Sequence, residues 1–185
     1  MSVHILHPSL RIHGSLTARD REYLSAAQAV DIHTYMLSYV EQDSDIEEVF
    51  RLDPQARILA KIESVRGLAW VEHGYPRWRD TVHLMAARGD LHLELGVSGA
   101  PGAMLQALKQ VRAADAEAVA ASRILSSLAQ QAQPECAEVT DLGYLHLLGY
   151  RRLLLGDELG WQEDTTLRAL ETLAGLLPYL NGAEE

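Results

Sequence analysis

The stretch that decides the fold runs from Arg57 to Leu95 and reads RILAKIESVRGLAWVEHGYPRWRDTVHLMAARGDLHLEL. It contains two short apolar runs, at 57–63 and 82–87, and each run ends in polar and charged residues. In a parallel α/β barrel the carboxyl ends of all strands open on one face, and the site residues of such proteins lie there. The pattern therefore predicts two buried strands that carry polar side chains to the same face.

The polar residues at these strand ends are of the types that a metal-dependent site needs. Glu63 ends the first run, and Asp90 follows the second. Mg²⁺ typically takes one or two protein carboxylates and leaves its other positions to water and substrate oxygens. Lys61 adds a compact positive charge close by. A plain ion pair at a strand end is the alternative interpretation of Lys61 and Glu63.

Apolar runs of this kind recur along the chain, at intervals of roughly 25 to 35 residues, which is the length of a βα unit. They are nearly continuous in apolar residues, as strands buried on both faces are. Helical patterns lie between them, and Thr17 with Asp20 and Ser44 with Glu47 have the spacing of capping boxes. The alternation predicts a parallel α/β architecture. The five predicted strands are 34–40, 57–63, 82–87, 118–122 and 151–156.

Length and composition limit the classes of protein that this chain can belong to. With 185 residues it is one domain, predicted as an extended segment at 1–15, an α/β unit at 16–180 and a disordered tail at 181–185. The net charge is −10 and no stretch concentrates Lys or Arg, so a nucleic acid is not an expected partner. No signal peptide or apolar span is present in the sequence, and a single cysteine, Cys136, fits a reducing compartment. We therefore expect a cytoplasmic chain without a membrane partner.

The decisive stretch resembles the centre of the pyruvate kinase barrel. The matching residues are K-I-E at 61–63, the glycine four residues later, and M-x-A-R-G-D-L at 85–91. Further segments resemble the same family in order, from LTARDREYL at 16–24 to RRLLLGDE at 151–158. The resemblance implies a partial TIM-type barrel of about five parallel βα units, which would be the last five of the eight in a complete barrel. It also makes residues 91–95, which alternate like a strand, a loop or short helix over the site.

The resemblance implies roles for the charged residues. Lys61 would act as a catalytic residue that stabilises charge on the enolate and on the transferring phosphoryl group. Glu63 and Asp90 would bind the metal, Mg²⁺ or Mn²⁺. Phosphoenolpyruvate, pyruvate or a related small carboxylate would be the substrate. The family's first three strands, lid domain and regulatory domain have no counterpart in the sequence.

The remaining site residues also follow from the resemblance. Ala87, Arg88 and Gly89 match the turn whose backbone N–H groups hold the substrate carboxylate. Ser122 matches the catalytic threonine of the family's A-T-Q-M, and Ser38 matches the serine of L-S-F-V in the substrate pocket. Ordinary strand-end hydroxyls are the alternative interpretation of both residues.

Three positions depart from the family pattern. Arg123 replaces the glutamine of A-T-Q-M. His92 replaces the second glycine of R-G-D-L-G, where an imidazole would either crowd the substrate pocket or add a new ligand or base. Asp157 stands near the glutamate of S-G-E-T.

Two functions remain open at this point. One is a Mg²⁺-dependent protein that performs at most part of the pyruvate kinase reaction, such as enolisation or decarboxylation. The other is a non-catalytic half-barrel that serves as a regulatory or assembly partner. Five parallel strands leave two open edges, which predicts a homodimer, a partner chain that completes the barrel, or a seal formed by residues 1–16.

Overall fold

The structure is a computed structural model that describes residues 14–97, 100 and 102–182. Within these residues, five parallel strands form one sheet whose order follows the chain. Each predicted strand is present, so the predicted parallel α/β architecture is confirmed. The first and last strands do not pair with each other in the described part of the chain, and the barrel is therefore not closed. The strands are β1 (Thr34–Leu37), β2 (Arg57–Ile62), β3 (Val82–Ala87), β4 (Val119–Ala121) and β5 (Arg152–Leu154).

Helices precede, connect and follow the strands. Two short 3₁₀ helices, Tyr75–Arg77 and Ser126–Ala129, lie in the connections before β3 and after β4. Residues 91–95 belong to a helix, as the family resemblance implied and contrary to their strand-like alternation. The α-helices of the described residues are α1 (Ala18–Gln28), α2 (Asp43–Leu52), α3 (Val65–His73), α4 (Arg88–Val97), α5 (Ala103–Ala114), α6 (Cys136–Leu147), α7 (Asp157–Gly160) and α8 (Glu163–Leu180).

The predicted capping boxes have different outcomes. The box at Thr17 is confirmed, since its hydroxyl accepts from the N–H of Asp20 and the Asp20 carboxylate accepts from the N–H of Thr17. The box at Ser44 and Glu47 is wrong. Helix α2 begins earlier, with Gln42 as its N-cap, because the Asp45 carboxylate already accepts from the N–H groups of the two residues before the helix.

The strands alternate between two faces of the sheet. One set of side chains, including Ile58, Ala60 and Ile62 of β2, packs against the helices and forms the main core. The opposite face carries a smaller apolar cluster of Met85, Ala87, Val119 and Ala121, packed with Leu59. Because successive residues of a strand point to opposite faces, Lys61 lies on the same face as this second cluster.

The register of the paired strands places the carboxyl ends of β2, β3 and β4 at the same level. Lys61 is paired with Met85, and Ala87 is paired with Ala121, so β2, β3 and β4 end side by side. The polar residues that follow these strands therefore meet at one edge of the sheet. This is the arrangement that the sequence predicted for the carboxyl ends.

A glycine close to the site is required by packing. A Cβ atom at Gly67, in the first turn of α3, would lie 2.9 Å from the carbonyl oxygen of Val40. That distance is too short for a carbon atom next to backbone. Ser64 caps the same turn by accepting from the Gly67 N–H at 3.0 Å. The glycine that follows K-I-E thus lets α3 approach the loop after β1.

The last helix faces the core differently from the prediction. The sequence has a stripe of Leu167, Leu170, Leu173 and Leu177 at helical spacing, but Leu167, Leu170 and Leu177 are exposed and Leu173 is the member that packs against the core. Thr165 and Ala169 are the fully buried positions of this helix. The small side chains allow α8 to pack closely against α7 and the 3₁₀ helix that follows β4.

Some predictions concern residues outside the described part of the chain. Residues 1–13 of the predicted extended segment and residues 183–185 of the predicted tail belong to this group. In the described part, none of the helices is both long enough and apolar enough to cross a membrane.

Candidate functional site

Lys61 and Glu63 form the centre of the candidate site. The Lys61 Nζ lies 2.8 Å from Oε1 of Glu63 and donates to the Ser38 hydroxyl at 3.1 Å. The Glu63 side chain is 1 % exposed, and its Oε2 accepts from the Tyr39 N–H at 2.7 Å. These contacts join the carboxyl ends of β1 and β2, so the structure brings three of the predicted site residues together.

Burial sets the protonation behaviour of Glu63. Removal from water raises the pKa of its carboxyl, and the nearby charge of Asp90 raises it further. The Lys61 ammonium and the Tyr39 N–H lower the pKa, but the net shift is upward. Asp90 therefore lies close enough to Glu63 for the two charges to interact, across the ends of adjacent strands.

The turn between β3 and α4 lies against β4. Helix α4 begins at Arg88, directly after the last residue of β3. The first N–H groups of a helix have no partner within the helix, and they suit an anion such as a carboxylate. A Cβ atom at Gly89 would meet the Ser122 hydroxyl oxygen at 3.4 Å. Gly89 and Ser122, both predicted as site residues, are therefore neighbours.

The Arg88 side chain is used to hold the site together. Its Nε donates to the Ala121 carbonyl at 3.0 Å, and its Nη2 donates to the Ser122 carbonyl at 2.6 Å. Its Nη1 lies 2.8 and 2.7 Å from the two carboxylate oxygens of Asp141 on α6. All of these guanidinium contacts lie within the protein, and the prediction for Arg88 concerned its backbone N–H group and not this side chain.

Several non-glycine residues at the strand ends have left-handed backbone conformations. Tyr39, just after β1, has φ 51°, and Ser122 and Arg123, just after β4, have φ 71° and 57°. This conformation is uncommon for residues with a Cβ atom, and such residues cluster at functional sites. No glycine or asparagine marked these positions in the sequence, so sequence reasoning missed them.

Tyr39 is also a functional candidate that sequence reasoning missed. Burial and the charges of nearby carboxylates raise the pKa of its phenol to about 12. The signal for it was present, since this residue replaces the phenylalanine of the L-S-F-V motif and brings a hydroxyl to the site. The carboxylates that act on it are Asp90, Glu63, Glu94 and Glu41.

A cavity of about 950 Å³ adjoins the strand ends on the β4 side. Gly89, Asp90 and Ser122 line it, and so do the two departures from the family pattern, His92 and Arg123. The structure thus brings together residues whose roles the sequence left open. Of the described residues, Lys61 and Glu63 are not among those lining the cavity, which lies beside them.

The last of the predicted matches lies at the start of α7. Asp157 is exposed and is the first residue of that helix. Its neighbour Glu158, not Asp157, lines the cavity.

The carboxylates suit a hard cation that is held by few protein ligands. Among the described residues, no group of three or more His, Cys, Asp or Glu side chains is placed to hold a metal ion. Mg²⁺ needs only one or two carboxylates when water and substrate oxygens complete its shell. Glu63 directly follows β2 and Asp90 lies in the first turn of α4, and two carboxylates are the ligand types that fit such an ion.

Fold and site together define a class of protein. A parallel sheet of βα units with converging charged residues at its carboxyl edge is the arrangement of TIM-type barrels. A family model described as the barrel domain of pyruvate kinase matches residues 3–158, and the chain belongs to the pyruvate kinase family. The family predicted from the sequence is thus confirmed.

Individual relatives agree with this assignment. The pyruvate kinase of Thermotoga maritima is 28% identical over 148 residues, which cover 78% of this chain and 31% of that protein. The pyruvate kinase of Agrobacterium vitis is 32% identical over 128 residues, covering 69% of this chain and 26% of that protein. The chain therefore spans about 30% of the length of the curated relatives that it matches.

Proposed function

We propose that this chain binds a divalent cation together with an enolpyruvate or 2-oxo acid, and that it stabilises the enolate of that acid. The observation that carries the proposal is the contact of Lys61 with Glu63 at 2.8 Å, with Asp90 within electrostatic reach. Two carboxylates and a lysine converge at the carboxyl ends of adjacent strands. An enolate is stabilised by positive charge that is in place before its negative charge develops, and here Lys61 and the cation would supply that charge.

Glu63 and Asp90 would hold the cation, Mg²⁺ or Mn²⁺. When bound, the ion supplies Lewis-acid stabilisation of negative charge on a substrate oxygen. The amide groups of Ala87, Arg88 and Gly89 would hold the substrate carboxylate, and His92 and Ser122 would line the same space.

Lys61 has one donor left for the substrate. An ammonium group has three N–H donors, and two of them are directed at Glu63 and Ser38. The third would approach the oxygen that becomes negative as the enolate forms. Ser38 and Glu63 would then orient the ammonium group.

The proposed reaction is only a part of the pyruvate kinase reaction. The chain spans about 30% of its relatives' length, and phosphoryl transfer to a nucleotide needs a second binding site. Decarboxylation of oxaloacetate needs no second binding site, because no group is transferred to a nucleotide. The bond between the distal carboxylate and its neighbouring carbon breaks, carbon dioxide leaves, and the electron pair remains on the enolate of pyruvate, which a proton then quenches.

Lys61→Met is expected to reduce oxaloacetate decarboxylation by about a hundredfold or more, because it removes the charge that opposes the developing enolate. The measurement is the initial rate with Mg²⁺ present. Lys109→Met, at an exposed position on α5, is the matched control and should keep the wild-type rate. A Lys61→Met protein that melts normally and retains the full rate would make the lysine a structural ion-pair partner.

A second function is favoured by the ion pair itself. The Lys61 ammonium is already balanced by Glu63 at 2.8 Å without any ligand. A non-catalytic half-barrel that acts as a regulatory or assembly partner would have this arrangement. The two functions differ in the decarboxylation assay, since only the first gives a rate that depends on Lys61.

We also propose that a second copy of the chain covers the open flank of the sheet. Met36 and Leu154 are apolar residues on the two edge strands, β1 and β5, and they are 59% and 38% exposed. Parallel edges with exposed apolar side chains favour association. A partner chain that completes the barrel is the alternative.

Leu154→Asp is therefore expected to shift the chain from dimer to monomer, because it places a charge in the apolar contact. Light scattering at micromolar concentration measures the change. Leu147→Asp, at an exposed position on α6, is the control and should leave the dimer intact. A wild-type chain that is monomeric throughout would rule out the homodimer.

A further inference from the structure

We propose that the protonated His33 ring is a pH-sensitive tie that holds the amino end of β1 to the end of α2, and that the tie loosens when the ring becomes neutral. His33 directly precedes β1, which is an edge strand of the sheet in the described part of the chain. Lys61 and Ser38 lie at the opposite, carboxyl ends of β2 and β1. The inference therefore stands apart from the proposed function.

The His33 ring lies between two carboxylates. Its Nδ1 is 2.8 Å from Oδ2 of Asp53, and its Nε2 is 3.3 Å from Oδ1 of Asp31. A neutral imidazole carries only one N–H group, so in that form one of the two ring nitrogens would direct a lone pair at a carboxylate oxygen. The imidazolium ion donates from both nitrogens. The arrangement therefore fits the charged ring and not the neutral one.

Asp53 is the buried partner of the ring. Its side chain is 3% exposed, and it also accepts from the Tyr35 hydroxyl at 2.7 Å and from the Gln55 N–H at 3.0 Å. Burial raises the pKa of Asp53, but the hydrogen bonds from Tyr35, His33 and Gln55 outweigh it, and the net shift is downward. A carboxylate that stays ionised while buried favours a positive charge beside it.

The other charged groups around the ring contribute less. The Asp31 side chain is 99% exposed, so water and salt screen its charge. Its backbone is left-handed, with φ 60°, a conformation that aspartate adopts more readily than most residues do. Arg57, the first residue of the neighbouring strand β2, has an exposed side chain and contacts His33 through its backbone N–H. Asp53 is thus the main partner of the imidazolium charge.

The sign of the pH dependence follows from this geometry. The hydrogen bond with Asp53 raises the pKa of His33, partial burial opposes the shift, and the charges of Asp53 and Asp31 add to it. The stability that the charged ring contributes is present below the unfolded pKa and is lost as the pH rises through the raised, folded pKa. The contribution of Asp53 has the opposite sign and is lost as the pH falls through its lowered pKa. The tie is therefore complete between the ordinary pKa of an aspartate and that of a histidine.

Loosening of the tie reaches the first hydrogen bond between β1 and β2. The His33 carbonyl oxygen accepts from the Arg57 N–H at 2.7 Å. The turn before His33 carries Val30 and Ile32, which are both exposed, so side-chain packing contributes little to holding this turn. The amino end of β1 should therefore open more often when the ring is neutral, and the Arg57 amide reports on that opening.

Two measurements by nuclear magnetic resonance test the tie. In the wild type, the His33 ring should titrate above the ordinary histidine pKa, and Asp31→Asn should lower its midpoint. The hydrogen-exchange protection factor of the Arg57 amide should fall by about threefold between about pH 6 and about pH 8.5 in the wild type.

His33→Asn should keep the same Arg57 protection factor at both pH values, because asparagine can donate to Asp53 but does not titrate. Glu22→Gln, at an exposed position on α1, is the control and should behave as the wild type does. A His33 ring that titrates at or below the ordinary histidine pKa would overturn the inference. So would a protection factor that falls with pH in His33→Asn as much as in the wild type.

Discussion

Replacing Arg88 with methionine is expected to lower the free energy of unfolding by about 3 kcal/mol. The Arg88 side chain is 12% exposed and joins three parts of the fold, namely α4, the end of β4 and α6. Methionine preserves the length and the packing of the stem but none of the hydrogen bonds. The Ala121 and Ser122 carbonyl oxygens would lose their donors, and Asp141 would remain as an uncompensated charge.

Urea unfolding followed by circular dichroism measures this loss. Asp141→Asn should lower the free energy of unfolding by less than Arg88→Met does, because the amide oxygen still accepts from Arg88 and the two carbonyl contacts remain. Arg66→Met is the control, since Arg66 is 71% exposed and its ion pair with Glu41 is of the weakly stabilising surface type. Equal midpoints for Arg88→Met and Arg66→Met would show that the Arg88 contacts do not stabilise the fold.

The strands and the central residues of the site could be predicted because their signals are local. A buried parallel strand is a short apolar run, and all five runs are strands of the structure. Lys61 and Glu63 end such a run, and parallel strands place their carboxyl ends together. The contact between these two residues, and their proximity to Ser38, follow from strand order and register.

The remaining features depend on contacts between distant parts of the chain. The partner of Arg88 is 53 residues away on another helix, and nothing in the local sequence marks Asp141 as that partner. The left-handed conformation at Ser122 and Arg123 is imposed by the same contacts, in residues that ordinarily avoid it. The leucine stripe of α8 does not mark its buried side, because three of its four leucines face outward and the small residues Thr165 and Ala169 are the buried positions.

Glu63→Gln is expected to abolish cation binding while leaving the fold intact. The glutamine oxygen can still accept from the Tyr39 N–H, and burial already disfavours the ionised carboxylate by raising its pKa. Glu63 thus contributes stability that is present below the unfolded pKa and is lost as the pH rises through the raised, folded pKa. At neutral pH the substitution should therefore change the free energy of unfolding by no more than about 1 kcal/mol.

The same pKa shift predicts how cation binding depends on pH. Only the ionised carboxylate holds a divalent cation, and the raised pKa means that Glu63 takes up a proton at a higher pH than an ordinary glutamate does. Binding by the wild type should therefore weaken, as the pH falls, before carboxylates of ordinary pKa begin to protonate.

Calorimetric titration of Mg²⁺ with oxalate into the wild type, Glu63→Gln and Glu72→Gln tests the candidate site most directly. Oxalate imitates the enolate of pyruvate, and Glu72 is an exposed carboxylate on α3 that serves as the matched control. We predict saturable binding by the wild type and by Glu72→Gln, and a loss of about a hundredfold or more in Glu63→Gln. Wild-type protein that binds no oxalate with Mg²⁺, or a Glu63→Gln protein that binds as tightly as the wild type, would contradict the proposed site.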